Sequence, residues 1–203
     1  MMDLNRHKEI RKRLAALAGE KEAGRIWNRA GKILKETEER YGDLPKGQRF
    51  HAGYIFPAAA IQLASKEILK DPLPGYRAIS EVSWEKSRKM GASLGKMAKI
   101  PGFLPFFVNI WDPVSRKAFG EAAGFRNVFY PRKKGEYRMD IVQCPYRRYF
   151  EELGTPELTK IFCINDEYTY GHIPGLEFIR HTTLGTGGEK CDFCIRLKKK
   201  GRQ

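Results

Sequence analysis

The sequence predicts an α+β fold in which N-terminal helices pack on a C-terminal antiparallel sheet with one inserted helix. Three observations support this: apolar residues recur at helical spacing early in the chain, apolar and polar residues alternate later, and the later part is rich in turn signals. Helices followed by strands are typical of α+β proteins. Since there is no repeat or low-complexity linker, we predict one domain over residues 1–203, with 1–125 a mostly helical scaffold and 126–197 a hairpin-helix-hairpin part carrying the site.

The first part of the chain predicts two helical segments. Residues 4–40 carry apolar residues at helical spacing, and Gly42 marks the end of that segment. Pro57 suits the first turn of a second helix, which good helix formers extend to Ile68. Pro72 follows and breaks it.

The middle of the chain is less regular. Ser83 is a plausible N-cap for a helix that continues to Lys96. Residues 100–110 are apolar and aromatic but contain prolines and a glycine, which favours a buried connector or the wall of a pocket. Pro113, after an aspartate, predicts a further short helix that ends at Gly124.

The last third predicts two hairpins around one helix. Residues 126–130 and 136–143 flank a PRKKG turn, and Tyr137, Met139 and Ile141 alternate onto one face. The order Thr, Pro, Glu at residues 155–157 is typical of a helix start. The second hairpin pairs a strand between residues 175 and 184 with one over residues 191–197, across a GTGGEK turn.

The composition limits the class of protein. The formal net charge is +14 and the pI is near 9.7, which fits nucleic-acid binding as well as proteins that handle small anions. The basic residues are scattered and are not interleaved with aromatics as in a single-strand groove, so we do not expect nucleic-acid binding. The KKKGRQ end is expected to be a solvated tail.

The chain is expected to be cytoplasmic, with no membrane partner. No apolar run reaches the length of a membrane span, and the residues after Met1 contain no apolar signal-peptide region. Thiols stay reduced in the cytosol, so the four cysteines are interpreted as thiols or ligands rather than as a disulfide framework.

Cys163 and Asp166 stand three residues apart on the predicted helix and should share one face. A carboxylate beside a thiol can orient a water or a histidine, although alone it raises the thiol pKa. A buried cysteine with a surface aspartate is an equally good explanation of the spacing.

The Cys191-x-x-Cys194 motif is weak evidence for zinc or redox chemistry. Side chains alternate along a strand, so Cys191 would face one side with Phe193 and Ile195, while Cys194 would face the other. A second such motif, which a zinc ribbon needs, is absent. A mixed site holding zinc or iron through Cys144, Cys163, Cys191 and a histidine or acid is left open.

Arg180 and His181 precede two threonines and a Gly-rich turn. The glycines are explained by the positive φ that a hairpin turn requires. Arg180 can bind a carboxylate through two parallel hydrogen bonds. His181 is either a catalytic group or, more commonly, a structural hydrogen-bonding residue.

These motifs together resemble the L-2-amino-thiazoline-4-carboxylic acid hydrolase family. The resemblance is most specific over residues 144–193, and its motifs are Cys144-Pro145, the ELGTPEL stretch at 152–158, Cys163 with Asp166, Arg180 with Thr183, and Cys191-Asp192-Phe193.

This resemblance implies hydrolytic opening of a small cyclic amidine that bears a carboxylate. A thiolate or an activated water would add to the electrophilic amidine carbon, an acid would protonate the leaving nitrogen or sulfur, and Arg180 would hold the substrate carboxylate. The expected catalytic residues are Cys163, Asp166 and His181; the expected substrate-binding residues are Arg180, Thr183, Cys144, Cys191 and Asp192. No cofactor is assigned with certainty: a zinc or iron ion that Cys144 and Cys191 help to hold is left open, and so is a homodimer.

A more distant similarity to vinyl-reductase-like small-ligand domains provides the alternative. In that case the chain would be a binding or sensor module, and its cysteines would be structural or would hold a metal. Exposure separates the two hypotheses, because a nucleophile must reach a pocket whereas structural ligands are shielded.

Overall fold

The computed structural model describes residues 2–198, so the basic tail lies outside the described residues from Lys199 onward. The helices are α1 (Lys8–Ala18), α2 (Glu20–Tyr41), α3 (Lys46–Leu69), α4 (Leu73–Met97), α5 (Phe103–Ala118), α6 (Pro145–Glu152) and α7 (Leu158–Tyr170). The strands are β1 (Arg126–Phe129), β2 (Glu136–Gln143), β3 (Leu176–Ile179) and β4 (Cys191–Leu197). Among the described residues no helix is both long and apolar enough to cross a membrane.

The fold-class prediction is confirmed, because helices precede one four-stranded antiparallel sheet of order β1-β2-β4-β3. The first predicted hairpin is present, and β3 pairs with β4 as predicted for the second. However, β3 ends at Ile179 rather than at residue 184, and residues 180–190 form a longer loop with a 3-10 turn at Leu184–Thr186.

Strand β2 pairs with β4 so that Tyr137 opposes Ile195 and Met139 opposes Phe193. The segment between the hairpins contains α6 in addition to the predicted helix. Its start after Cys144 agrees with the preference of proline for the first helical position.

Two groups of buried side chains form the core. The larger is made by helices α1 to α4 with α6 and α7, and Phe56, Phe150 and Ile161 are almost fully buried in it. The smaller joins α5 to one face of the sheet, with Tyr137, Met139, Phe193 and Ile195 among its members. Helix α7 contributes to both, through Ile161 and Tyr170. It therefore lies between the helical layer and the sheet, which is where Cys144, Cys163 and Cys191 come together.

Two helices continue through a proline that the sequence pattern predicts to be a helix start. Pro57 lies inside α3 and Pro113 inside α5, so each removes the hydrogen bond to the carbonyl four residues earlier. Side chains from other elements fill both gaps. His7 Nε2 lies 3.1 Å from the Gly53 oxygen, and Arg132 Nη2 donates to the Asn109 oxygen at 2.8 Å. Each free carbonyl thus attaches a distant segment to its helix.

Other helix boundaries also differ from the prediction. The 4–40 segment is interrupted at Gly19, whose φ of 86° ends α1 and separates it from α2. Ser83 is not an N-cap but lies inside α4, where its hydroxyl bonds with the Asn165 side chain of α7. Residues 100–110 do not form a connector, since most of them belong to α5.

Candidate active site

The loop that follows β3 crosses α7 and brings Arg180 against it. The guanidinium is only 4% exposed, and its Nη1 donates to the Cys163 carbonyl at 2.6 Å and to Asp166 Oδ2 at 3.1 Å. Its Nη2 donates to Glu167 Oε1 at 2.6 Å. Both terminal nitrogens are therefore engaged by α7, and Cys163 and Asp166 lie under one buried positive charge.

The Cys163 thiol is surrounded by hydrogen-bond donors. A hydrogen bond from the Cys191 thiol is the largest influence that lowers its pKa to about 6; burial opposes this, while the Thr183 hydroxyl, the Gly185 N–H and the Arg180 charge add to it. Gly185 is required for this arrangement, because a Cβ there would lie 2.7 Å from Cys163 Sγ. The group of Cys163, Asp166, Arg180, Thr183, Gly185 and Cys191 is called the Cys163 site below.

Cys191 is the neutral partner in this sulfur pair. Its Sγ accepts the Leu184 N–H at 3.2 Å, and its thiol is a neighbour of the Cys163 thiol. Sharing its hydrogen with the Cys163 thiolate, together with burial, raises the pKa of Cys191. The pair therefore carries one negative charge, placed on Cys163 because more donors converge on it.

Asp166 is held partly protonated near neutral pH. Burial raises its pKa to about 7; the Arg180 charge opposes this, and the negative charges of Cys163 and Glu167 reinforce it. Its side chain keeps 40% of its surface accessible. An acid with this pKa can give and take a proton at physiological pH.

Cys144 is the third thiol near this site. It precedes α6, and the backbone N–H groups of Tyr146 and Arg147 point to its sulfur, yet burial dominates and raises its pKa to about 12. The charges of Cys163 and Asp166 add to that effect, which places Cys144 close to both. It is a neutral thiol that lines the site.

Sequence reasoning missed His51 and Tyr146, which lie beside this group. His51 Nε2 is 2.8 Å from the Ala118 carbonyl, which can only accept, so Nε2 carries the hydrogen and Nδ1 accepts from the Tyr146 hydroxyl at 3.2 Å. Burial lowers the pKa of His51, which keeps the ring neutral. The Tyr146 ring packs on Phe162, next to Cys163. No local motif links residues 95 positions apart.

His181 and Asp192 lie apart from the thiols. The His181 ring is 79% exposed, and its Nδ1 is 2.7 Å from Asp192 Oδ2. Burial alone would raise the pKa of Asp192, but hydrogen bonds from the Thr182 N–H and from the ring and backbone N–H of His181 lower it. These hydrogen bonds fix the conformation of the segment that follows β3.

The alternation predicted for β4 is present. Cys191 faces Cys163, whereas Cys194 is surrounded by the charges of Glu136, Arg138 and Arg196 on the other face. Over residues 2–198, no group of three or more histidine, cysteine, aspartate or glutamate side chains is arranged to hold a metal ion. The mixed zinc or iron site considered from the sequence therefore has no geometric support in that part of the chain.

This geometry predicts selective thiol chemistry. We expect iodoacetamide at pH 7 to label Cys163 fastest, because it carries the thiolate, while Cys144 and Cys191 have raised pKa values. The labelling rate should reach half its maximum near pH 6, as measured by peptide mass spectrometry across a pH series. A midpoint at pH 8.5 or above would contradict this assignment.

Fold and site together give an α+β protein in which a thiol of lowered pKa, Cys163, lies beside a carboxyl group of raised pKa, Asp166. The family model described as L-2-amino-thiazoline-4-carboxylic acid hydrolase matches residues 48–195. That span is more than half of the chain and includes every residue of the Cys163 site, so the protein belongs to this family. Comparison with curated proteins and with solved structures gives no significant match.

Proposed function

We propose that this protein hydrolyses a small cyclic amidine that carries a carboxylate, such as 2-amino-thiazoline-4-carboxylate, with Cys163 as the nucleophile. The observation that supports it most is the Cys163 thiol, which three donors and a buried arginine stabilise as a thiolate beside the protonated form of Asp166. A nucleophile and a proton donor on one helical face are the two groups that opening an amidine ring requires. The family match supplies the substrate class.

In the first half of the reaction, the Cys163 thiolate adds to the amidine carbon between the ring sulfur and nitrogen. A carbon–sulfur bond forms, and the electron pair of the carbon–nitrogen double bond moves to nitrogen, which takes the proton of Asp166. The intermediate then collapses with cleavage of the ring carbon–sulfur bond. The freed sulfur leaves as a thiolate, and the amidine carbon stays attached to Cys163.

In the second half, the Asp166 carboxylate removes a proton from water, which adds to the same carbon. The bond to Cys163 then breaks as the added hydroxyl becomes the urea carbonyl, and the Cys163 thiolate is regenerated. The hydroxyl proton passes to the freed thiolate of the product, and Asp166 keeps the proton taken from water, which restores its starting form. The product is an open-chain urea that carries the carboxylate and the freed thiol, so one water is consumed for each ring opened.

We assign Arg180 to positioning rather than to direct contact with the substrate. Its Nη1 and Nη2 both donate to α7, and they hold Asp166 and the Cys163 carbonyl in place. The Cys163 thiol is surrounded by the side chains of Cys144, Thr183 and Cys191. The acid role is given to Asp166 and not to His181, because the His181 ring is turned toward Asp192 and solvent.

The proposal specifies a narrow pH dependence. The reactive form needs Cys163 ionised, which requires a pH above about 6, and Asp166 protonated, which requires a pH below about 7. A plot of kcat/KM for 2-amino-thiazoline-4-carboxylate against pH should be bell-shaped with its maximum near pH 6.5. Thiol release followed with a chromogenic disulfide would measure it. A rate that keeps rising above pH 8 would contradict the proposal.

A further inference from the structure

Helix α5 has two apolar faces, and the described part of the chain covers only one of them. The inner face packs on the sheet through Val108 and Trp111. The outer face carries Phe106, Ile110 and Val114, which are 59%, 38% and 40% exposed. Residues four apart lie on the same side of a helix, so these three form one stripe, called the α5 stripe below. Apolar residues on all sides of a helix are typical of burial, which indicates that the stripe contacts another surface.

The α5 stripe is not interrupted by charge. Helix α5 contains no charged residue over 103–111, and the first one, Asp112, is paired with Arg116 at 3.0 Å. Lys117 follows Phe106 by eleven residues, about three helical turns, so it lies on the same side and ends the stripe. The apolar surface therefore spans about two helical turns before the first cation on that side.

Exposed basic side chains lie at both ends of α5 and beside it. The turn between β1 and β2 lies beside α5, because Arg132 Nη2 donates to the Asn109 oxygen at 2.8 Å. The last turn of α4 and the short connection to α5 supply two lysines, and the end of α5 supplies a third. The exposed basic residues in these places are Lys96, Lys99, Lys117, Arg132, Lys133 and Lys134.

The positive charge in this region is not balanced by acids. Residues 96–135 contain eight lysines and arginines but only two acids, Asp112 and Glu121. Asp112 is already in an ion pair within α5, and Glu136, the next acid along the chain, lies 3.9 Å from Lys133. In the described part of the chain, four lysines have no carboxylate within ion-pair distance: Lys96, Lys99, Lys117 and Lys134. A surface that binds here would therefore meet several uncommitted positive charges.

An apolar stripe flanked by lysines favours one kind of partner. A second copy of the protein would place two positively charged surfaces against each other, and like charges repel. Another protein is disfavoured because lysine is depleted in protein–protein interfaces. An anionic phospholipid surface fits both features, since apolar side chains enter the boundary of the acyl chains and each lysine near the headgroups strengthens binding.

We infer that the α5 stripe docks on an anionic phospholipid membrane, with Phe106, Ile110 and Val114 at the acyl boundary and the flanking lysines at the headgroups. A helix that lies on one leaflet does not need the length of a membrane-spanning helix, so the 16 residues of α5 are sufficient. The length of apolar runs, which predicts no membrane span, therefore does not bear on this contact. The surface shares no residue with the Cys163 site, so the inference is independent of the proposed hydrolase chemistry.

The test is co-sedimentation of the full-length protein with phospholipid vesicles at low salt. Vesicles of phosphatidylcholine with about 30% phosphatidylserine should bind the protein at least about tenfold more tightly than vesicles of phosphatidylcholine alone, because the lysines are attracted only to the anionic surface. Raising the salt concentration should weaken binding to the anionic vesicles, because it screens that attraction.

Variants of the surface identify the contact. Phe106→Ser combined with Ile110→Ser should weaken binding to the anionic vesicles by at least about tenfold, since two apolar side chains no longer enter the acyl boundary. Lys99→Gln combined with Lys134→Gln should weaken it by about tenfold as well, with the larger effect at low salt. All four side chains are exposed, so the fold should be retained, which thermal melting checks.

Leu73→Ser and Lys32→Gln are the matched controls. Leu73 is 54% exposed at the start of α4, about 36 Å from the end that leads to α5, and Lys32 is exposed on α2. Both variants should bind the anionic vesicles as the wild-type protein does. The inference would be overturned by equal binding to neutral and anionic vesicles, by no binding to either, or by unchanged binding of the Phe106→Ser, Ile110→Ser variant. A dimer in solution that this variant abolishes would assign the stripe to a second copy and also overturn the inference.

Discussion

Cys163→Ala is expected to lower kcat/KM for 2-amino-thiazoline-4-carboxylate by at least about a thousandfold, the order of effect seen when a covalent nucleophile is removed. The substitution removes the sulfur on which three donors and the Arg180 charge converge, and neither Cys144 nor Cys191 replaces it, because both have raised pKa values. Initial rates of thiol release measure the effect. The fold should be retained, since Cys163 is half-buried and alanine favours a helix.

The matched control is Cys194→Ala. Cys194 is a second cysteine of the same sheet region, is 8% exposed, and lies on the face of β4 away from Cys163. Its replacement should change stability more than turnover, with kcat/KM within a factor of about three of the wild-type value. Equal turnover by the two variants would remove the nucleophile assignment.

Asp166→Asn is expected to lower kcat/KM by about a hundredfold to ten-thousandfold, which is the usual contribution of a positioned acid or base. Asparagine keeps the size of the side chain and can still accept from Arg180, but it has no proton to give to the leaving group. The falling limb of the pH profile near pH 7 should disappear as well. This second readout separates a chemical role from a structural one.

Glu167→Gln is the control for this substitution. Glu167 accepts from the same guanidinium at 2.6 Å, but its side chain is 60% exposed. Removing its charge should leave the pH profile bell-shaped and kcat/KM within about threefold. If Glu167→Gln were as damaging as Asp166→Asn, the effect would belong to the anchoring of Arg180 and not to proton transfer.

The parts of the fold that depend on local patterns could be predicted from the sequence. Alternation of Tyr137, Met139 and Ile141 between turn signals identified β2, and the same rule separated Cys191 from Cys194. The spacing of Cys163 and Asp166 placed them on one face of α7. These inferences succeed because strand and helix periods are properties of neighbouring residues.

Long-range features could not be predicted in this way. Pro57 and Pro113 locally predict helix starts, but α3 and α5 run through them, and His7 and Arg132 from distant segments contact the carbonyls that the prolines leave free. The activation of Cys163 depends on Gly185, more than twenty residues further along the chain, passing over α7. A lone cysteine on a helix gives no sign of such donors before the fold brings them together.

The most direct measurement is hydrolysis of 2-amino-thiazoline-4-carboxylate in ¹⁸O-labelled water by the wild-type protein and by Cys163→Ala, side by side at pH 6.5. The account requires that the wild-type protein release one thiol per substrate and form a urea product that contains one ¹⁸O atom, while Cys163→Ala forms almost none. Absence of ring opening by the wild-type protein, or equal ¹⁸O incorporation by both proteins, would contradict it.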